Sequence, residues 1–202
     1  MRAQSKPTLK RTQRIGWLSR LRGAEGAQLL EFAFVLPMLL ALAVGTFDFG
    51  RAYNLKQKLT NAAREGARIA TSQSTADLSS TSCSGTGASG PCTVEAVRNA
   101  VVNYLNSENV DTSFIGTSPT LTGFRTWAYG STTTGQPVLV IERSVVVPVT
   151  VGGTTTLSQS TRVTLNYPFS WGFAQVIRLL VPSASYQRSF TVSTEVMMEN
   201  LT

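Results

Sequence analysis

The 202 residues contain no histidine, only 14% charged side chains and two cysteines, so neither a Ser-His-Asp nor a Cys-His pair nor a zinc ligand set can be assembled from them. The formal charge of +7 sits at the start of the chain: residues 1–26 hold Arg2, Lys6, Lys10, Arg11, Arg14, Arg20 and Arg22 against Glu25 alone, whereas residues 27–202 hold eleven basic and ten acidic side chains. A charge gathered in one short leader does not describe a nucleic-acid-binding domain, and no nucleic-acid partner is predicted.

Residues 1–26, polar and basic, read as a cytoplasmic leader without a stable fold. From Phe32 to Phe47 no charge occurs. Extended to Ala27 and Phe49, the run is long enough for a ~30 Å hydrocarbon core, with Glu31 and Asp48 near its two ends. Pro37 removes one helical hydrogen bond, so a kink or loosened turn is expected there. Seven basic residues precede the span, and five follow it within twenty residues (Arg51, Lys56, Lys58, Arg64, Arg68). That bias favours a cytoplasmic N-terminus, in a single-pass inner-membrane protein whose C-terminal part lies outside the cytoplasm.

Helical periodicity continues past the span through Leu55, Leu59, Ala62, Gly66 and Ile69. Ala62, Gly66 and Ala70 form a row of small residues that admits close approach of another backbone. One helix from about Ala27 to Thr71 is predicted, roughly 65 Å long, half in lipid and half under a head. Residues 72–202 form that head. Cys83 and Cys92 bracket a Ser/Gly/Thr-rich loop, which suggests one disulfide closing a small ring; two free thiols are the alternative.

Val94 to Leu105 reads as a short amphipathic helix with Val94, Val97, Val101, Tyr104 and Leu105 inward. From about Pro119 the pattern turns to strands: Val138–Ile141, Val145–Val151, a Gly152-Gly153 hairpin turn, an alternating strand around Val163, Leu165 and Tyr167, and a last strand at Ser189–Met197. The apolar stretch 169–181 reads as a short helix covering the sheet, or else as a contact surface for a partner or the membrane. The predicted class is α+β, a long N-terminal helix packed on a small antiparallel sheet.

The junction Gly26-Ala27-Gln28-Leu29-Leu30-Glu31-Phe32 carries the functional signal. An ionised carboxylate inside an apolar helix costs roughly 2.5–3.5 kcal/mol at mid-bilayer, less near the interface, and normally has a partner. A cut after Gly26 would give Ala27 a free ammonium to serve as one. As an alternative, Glu31 is an ordinary interfacial charge on an anchor.

The junction resembles the type IV prepilin signal. Together with Glu31-Phe32-Ala33-Phe34-Val35-Leu36-Pro37, Phe47-Asp48-Phe49-Gly50-Arg51 and Thr60-Asn61-Ala62-Ala63-Arg64-Glu65-Gly66-Ala67-Arg68, it is similar to the TadE-like pseudopilins of tight-adherence (Flp) pilus systems. Val163-Thr164-Leu165-Asn166-Tyr167-Pro168-Phe169 and the closing Met198-Glu199-Asn200 are weaker likenesses. The resemblance implies cleavage between Gly26 and Ala27 by a prepilin peptidase, and Glu31 with Phe32 as assembly determinants. Other pilin subunits and the assembly machinery are the implied partners.

Two other readings compete. Residues 1–45 also fit a conventional signal peptide cut after Ala43-Val44-Gly45 to expose Thr46, giving an exported binding protein. A membrane-tethered enzyme would need a motif that Glu95, Glu108, Asp111 and Glu142 do not form by spacing. Gly152-Gly153 is a turn, not a phosphate loop. No enzymatic activity, cofactor or metal is expected.

Overall fold

The computed structural model describes residues 24–83, 89–130, 137–172 and 189–200. α1 spans Ala24–Ser72 without interruption, passing through Pro37. Its 49 residues make a rod roughly 74 Å long. It begins three residues before the predicted start. The signal-peptide site at Gly45-Thr46 lies inside it, with helix on both sides.

The two halves of α1 have different surroundings. No residue from Ala27 to Phe47 is buried, and Leu29, Phe34, Met38, Leu42 and Phe47 are each more than 60% exposed. Beyond Leu55, the residues Leu59, Ala62, Ala63, Ala67 and Ala70 are fully buried. Their i, i+3, i+4 spacing puts them on one stripe, and that stripe meets α2 (Cys92–Ser107), the second helix.

β1 (Thr120–Gly123), β2 (Thr126–Gly130), β3 (Pro137–Val151), β4 (Thr154–Ser170) and β5 (Ser189–Glu199) form one antiparallel sheet in sequence order. The fold is therefore α+β, a long N-terminal helix and a second helix on a five-stranded sheet. Alternation along β4 turns Val163, Leu165, Tyr167 and Phe169 toward the helices, as a half-buried strand requires. On the opposite face Arg162 spans two neighbours, 3.1 Å from Glu142 and 3.0 Å from Glu195.

Gly152 and Gly153 have φ of +60° and +84°, the left-handed pair that a two-residue hairpin turn needs. The hairpin they close outruns the sheet. β2 pairs with β3 only to Glu142, and β5 with β4 only from Ser160. The last part of the hairpin is a two-stranded arm with Val146 and Leu157 exposed. Gln159 gives its carbonyl outward to the Asn200 amide at 2.8 Å. Counting in twos across the register, Pro148 then also faces outward, where its missing N–H blunts the open edge.

Where the sequence suggests two strands, Val138–Ile141 and Val145–Val151, the structure has one. The register shifts between Glu142 and Val145, and Ser144 has a φ of +59°. Arg143 keeps the inward phase of Leu139 and Ile141, and a bulge of this kind flips side-chain parity after it. Arg143 is 1% exposed, and its Nη2 donates to the Gln73 carbonyl at 3.1 Å. The end of α1, which has no basic residue in its last turn, thus receives a cation from a strand 70 residues away, where the helix dipole favours one. Burial pushes the guanidinium pKa down, and Asp77 opposes that shift. Among the described residues Nε and Nη1 find no hydrogen-bond partner.

These observations separate two substitutions. Arg143→Ala leaves a cavity and uncapped carbonyls and is expected to cost about 3 kcal/mol. Arg143→Met removes the buried charge but fills the space and is expected to cost under about 1 kcal/mol. Denaturant unfolding of the full chain in detergent, followed by tryptophan fluorescence, measures both.

Asp77 also holds the start of α2, accepting from the Thr93 amide at 2.9 Å and the Thr93 hydroxyl at 2.7 Å. Cys83 and Cys92 are joined as a disulfide. The loop leaving α1 is therefore fastened at Gln73, Asp77 and Cys83. α2 is tied to the sheet by the Tyr129 hydroxyl, which donates to Glu95 at 3.1 Å. Burial first, then Glu95, pushes that phenol's pKa upward. The Tyr167 hydroxyl donates to the Asp111 carbonyl at 2.9 Å, and burial pushes it up to about 12.

Candidate functional site

The candidate site is the length of α1, because its first half carries an unbroken run of apolar surface that the described residues leave uncovered. Leu and Phe side chains bury about 1.5–3 kcal/mol each when removed from water. An unbroken collar of them is not stable against solvent. α1 is long and apolar enough, near the N-terminus, to cross a bilayer.

Gly26 and Ala27 lie within the first turns of α1, and Glu31 and Phe32 are exposed on its surface. No described residue of the sheet or α2 touches this stretch. Ala27 stands one turn before Glu31, at i and i+4, the spacing at which a terminal ammonium and a carboxylate share a face.

The second group, Ala62, Gly66 and Ala70, lies roughly 50 Å further along the rod. All three are buried. A Cβ placed on Gly66 would sit 2.6 Å from Val101 Cγ2 and 3.5 Å from Val97 Cγ1, so α2 crosses α1 where only hydrogen fits. The structure brings Gly66 together with α2 and β4, and keeps Gly26 to Phe32 apart from both.

Between these groups lies a junction that sequence reading marked as the end of the apolar run and as part of the resemblance, through Phe47-Asp48-Phe49-Gly50-Arg51, without a role for its side chains. Asp48 is 3% exposed at the top of the uncovered half, 3.3 Å from Arg51 Nη1. The Arg51 guanidinium lies over the Phe169 ring at 5.8 Å. Phe49 and Phe169 each meet Trp171 edge-on at 5.5 Å, and Trp171 stacks on Phe190 at 4.8 Å. This aromatic cluster pins α1 to the end of β4 and the start of β5. Amphipathic rings at the mouth of an apolar span suit a membrane–water interface. Residues 173–181 of the predicted apolar connection, like most of the leader, lie outside the described residues. Among the described residues no group of acids and thiols is gathered as a metal site.

The family model of TadE-like protein matches residues 26–68. That segment of the chain is similar to the TadE-like family. Neither the curated proteins nor the solved structures include a match to the chain. The TadE-like segment runs from the Gly26-Ala27 junction through the whole uncovered half of α1 to Arg68. It therefore contains Glu31, Asp48 and Gly66. The match covers most of the rod and stops short of the sheet.

Proposed function

We propose that this chain is a membrane-anchored minor pseudopilin that takes part in assembling a tight-adherence pilus. One observation carries the reading: a single helix is bare and apolar over its first half, with the Glu31 carboxylate near its base. It is packed into a folded head over its second half, and the TadE-like match lies on this helix. Such a rod solves two problems with one element. Its lower half dissolves in lipid, where all helical backbone bonds are internal. There it can lie beside like helices, while the upper half holds the head at a fixed height.

In this reading the N-terminus is cytoplasmic and the sheet lies outside, consistent with the positive-inside bias and with the Cys83–Cys92 disulfide. A prepilin peptidase cleaves after Gly26. The new Ala27 ammonium then neutralises Glu31 on the same or a neighbouring helix. Partners are other pilin subunits and the assembly machinery, and the chain performs no catalysis.

The test is deletion of the chain in its host, with complementation by the wild type and by a Gly26→Leu variant. Membrane fractionation, N-terminal sequencing and electron microscopy of surface fibres give the readouts. Expected are a membrane-bound product starting at Ala27 and loss of fibres on deletion. Cells that remain fully piliated without the chain, or a product starting at Thr46, would overturn the proposal.

A further inference from the structure

Directly above the uncovered half of α1, the fold leaves an open groove of about 740 Å³. One wall is the α1 face carrying Phe47, Arg51, Asn54 and Lys58; the other is the loop at Asp111 and Phe114 with the end of β4 at Tyr167 to Ser170. We propose that this groove binds the headgroup of a phospholipid of the outer leaflet, with its phosphate held by Arg51 and the outer end of the headgroup directed toward Lys58. The inference rests on the membrane-anchored reading above.

Position is the first argument. From Ala27, ~30 Å of hydrocarbon ends near Phe47 at 1.5 Å per residue. The headgroup layer adds about 5–8 Å, which brings phosphates level with Arg51. The groove therefore opens at the depth where lipid phosphates lie.

Chemistry is the second. Arg51 gives one N–H toward Asp48, and its side chain is 65% exposed. Among the described residues no other acceptor reaches it, so most of its five donors remain. Stacking on Phe169 holds the guanidinium flat and limits the freedom lost on binding. Lys58 donates to the Glu108 carbonyl at 2.7 Å and lies 3.5 Å from its carboxylate. That fixes the ammonium at the upper end of the groove. Phe47, Phe114 and Phe169 give the lower part an apolar surface for the glycerol and first acyl carbons. Asp111 accepts from the backbone and hydroxyl of Ser113, which turns its carboxylate to its own loop. A volume of this size, mostly apolar with a few placed donors, is of the kind that holds small ligands.

The test uses the full chain extracted in mild detergent, stripped of lipid and exposed to phospholipid in mixed micelles, with bound lipid counted by native mass spectrometry. The wild type is expected to hold one phospholipid per chain. Arg51→Gln with Lys58→Gln is expected to weaken retention at least tenfold. Lys56→Gln with Arg64→Gln makes the same charge change on exposed positions of α1 and should leave retention unchanged. Asn54→Leu, which fills the groove without touching either ion pair, is expected to block binding and guards against misfolding of the double variant. Equal retention in the groove and control variants would overturn the proposal. Displacement of the lipid by millimolar inorganic phosphate would also do so, because the site would then take the free anion. Membrane fractionation of each variant keeps the questions apart: a chain that enters the membrane but holds no lipid fails only this inference.

Discussion

Gly66→Leu is expected to destabilise the packed part of the chain by about 3 kcal/mol or more, with the denaturant midpoint of the full chain falling accordingly. The reason is local. A Cβ at Gly66 would lie 2.6 Å from Val101 Cγ2, and Val101 is fully buried with a β-branched side chain that has little rotamer freedom in a helix. Gly66→Ala adds one methyl against that contact but gains about 1 kcal/mol of helix propensity, so a net change under about 1 kcal/mol is expected. Val101→Ala opens the space the new methyl needs. The two alanine substitutions should therefore couple favourably in a double-mutant cycle. Additive effects would mean that α2 does not cross α1 at this glycine.

Glu31→Ala is expected to leave membrane insertion unimpaired and to reduce surface fibres at least tenfold. Removing an ionised group from an apolar helix lowers its transfer cost by up to roughly 3 kcal/mol, so the anchor should partition into lipid as well as before. Any loss of assembly must then arise after insertion, at the contacts the carboxylate makes. Glu31→Gln keeps the size and a hydrogen-bonding end but not the charge. It should behave like the alanine variant if the partner is the Ala27 ammonium. Quantitative immunoblotting of membranes and of sheared fibres separates the two steps. Normal fibre yield from Glu31→Ala would remove this residue from the mechanism.

Much of the rod was legible in the sequence, for reasons that are physical. A charge-free run reports burial in something apolar, and helical spacing of Leu55, Leu59, Ala62 and Gly66 reports one buried stripe. Both signals are local and need no knowledge of the partner surface. The same holds for the Gly152-Gly153 turn and the alternation at Val163, Leu165 and Tyr167. What stayed hidden depends on distant residues meeting. Arg143 keeps the inward phase of Leu139 and Ile141, but the Gln73 carbonyl that it meets is 70 residues away, and the bulge at Ser144 that ends this phase leaves no mark in composition. That bulge also explains why one strand reads as two, since the parity of inward positions changes across it. The groove at Arg51 needs a helix, a loop near Asp111 and the end of β4, which are far apart in sequence. The outrunning hairpin arm is hidden in the same way. Val145 to Val151 reads as strand because of its β-branched residues, but composition does not tell how far neighbouring strands extend.

The claim on which the rest depends is that the bare half of α1 lies in lipid and the packed half outside it. Single cysteines at Leu40 and Arg64, treated in intact cells with a membrane-impermeant maleimide, test it most directly, because the native thiols are tied up in the Cys83–Cys92 bond and both positions are exposed in the isolated chain. The account predicts that Arg64→Cys is labelled from outside, whereas Leu40→Cys is labelled only after the bilayer is dissolved. Equal labelling of the two positions in intact cells, or labelling of Arg64→Cys only after lysis, would contradict it.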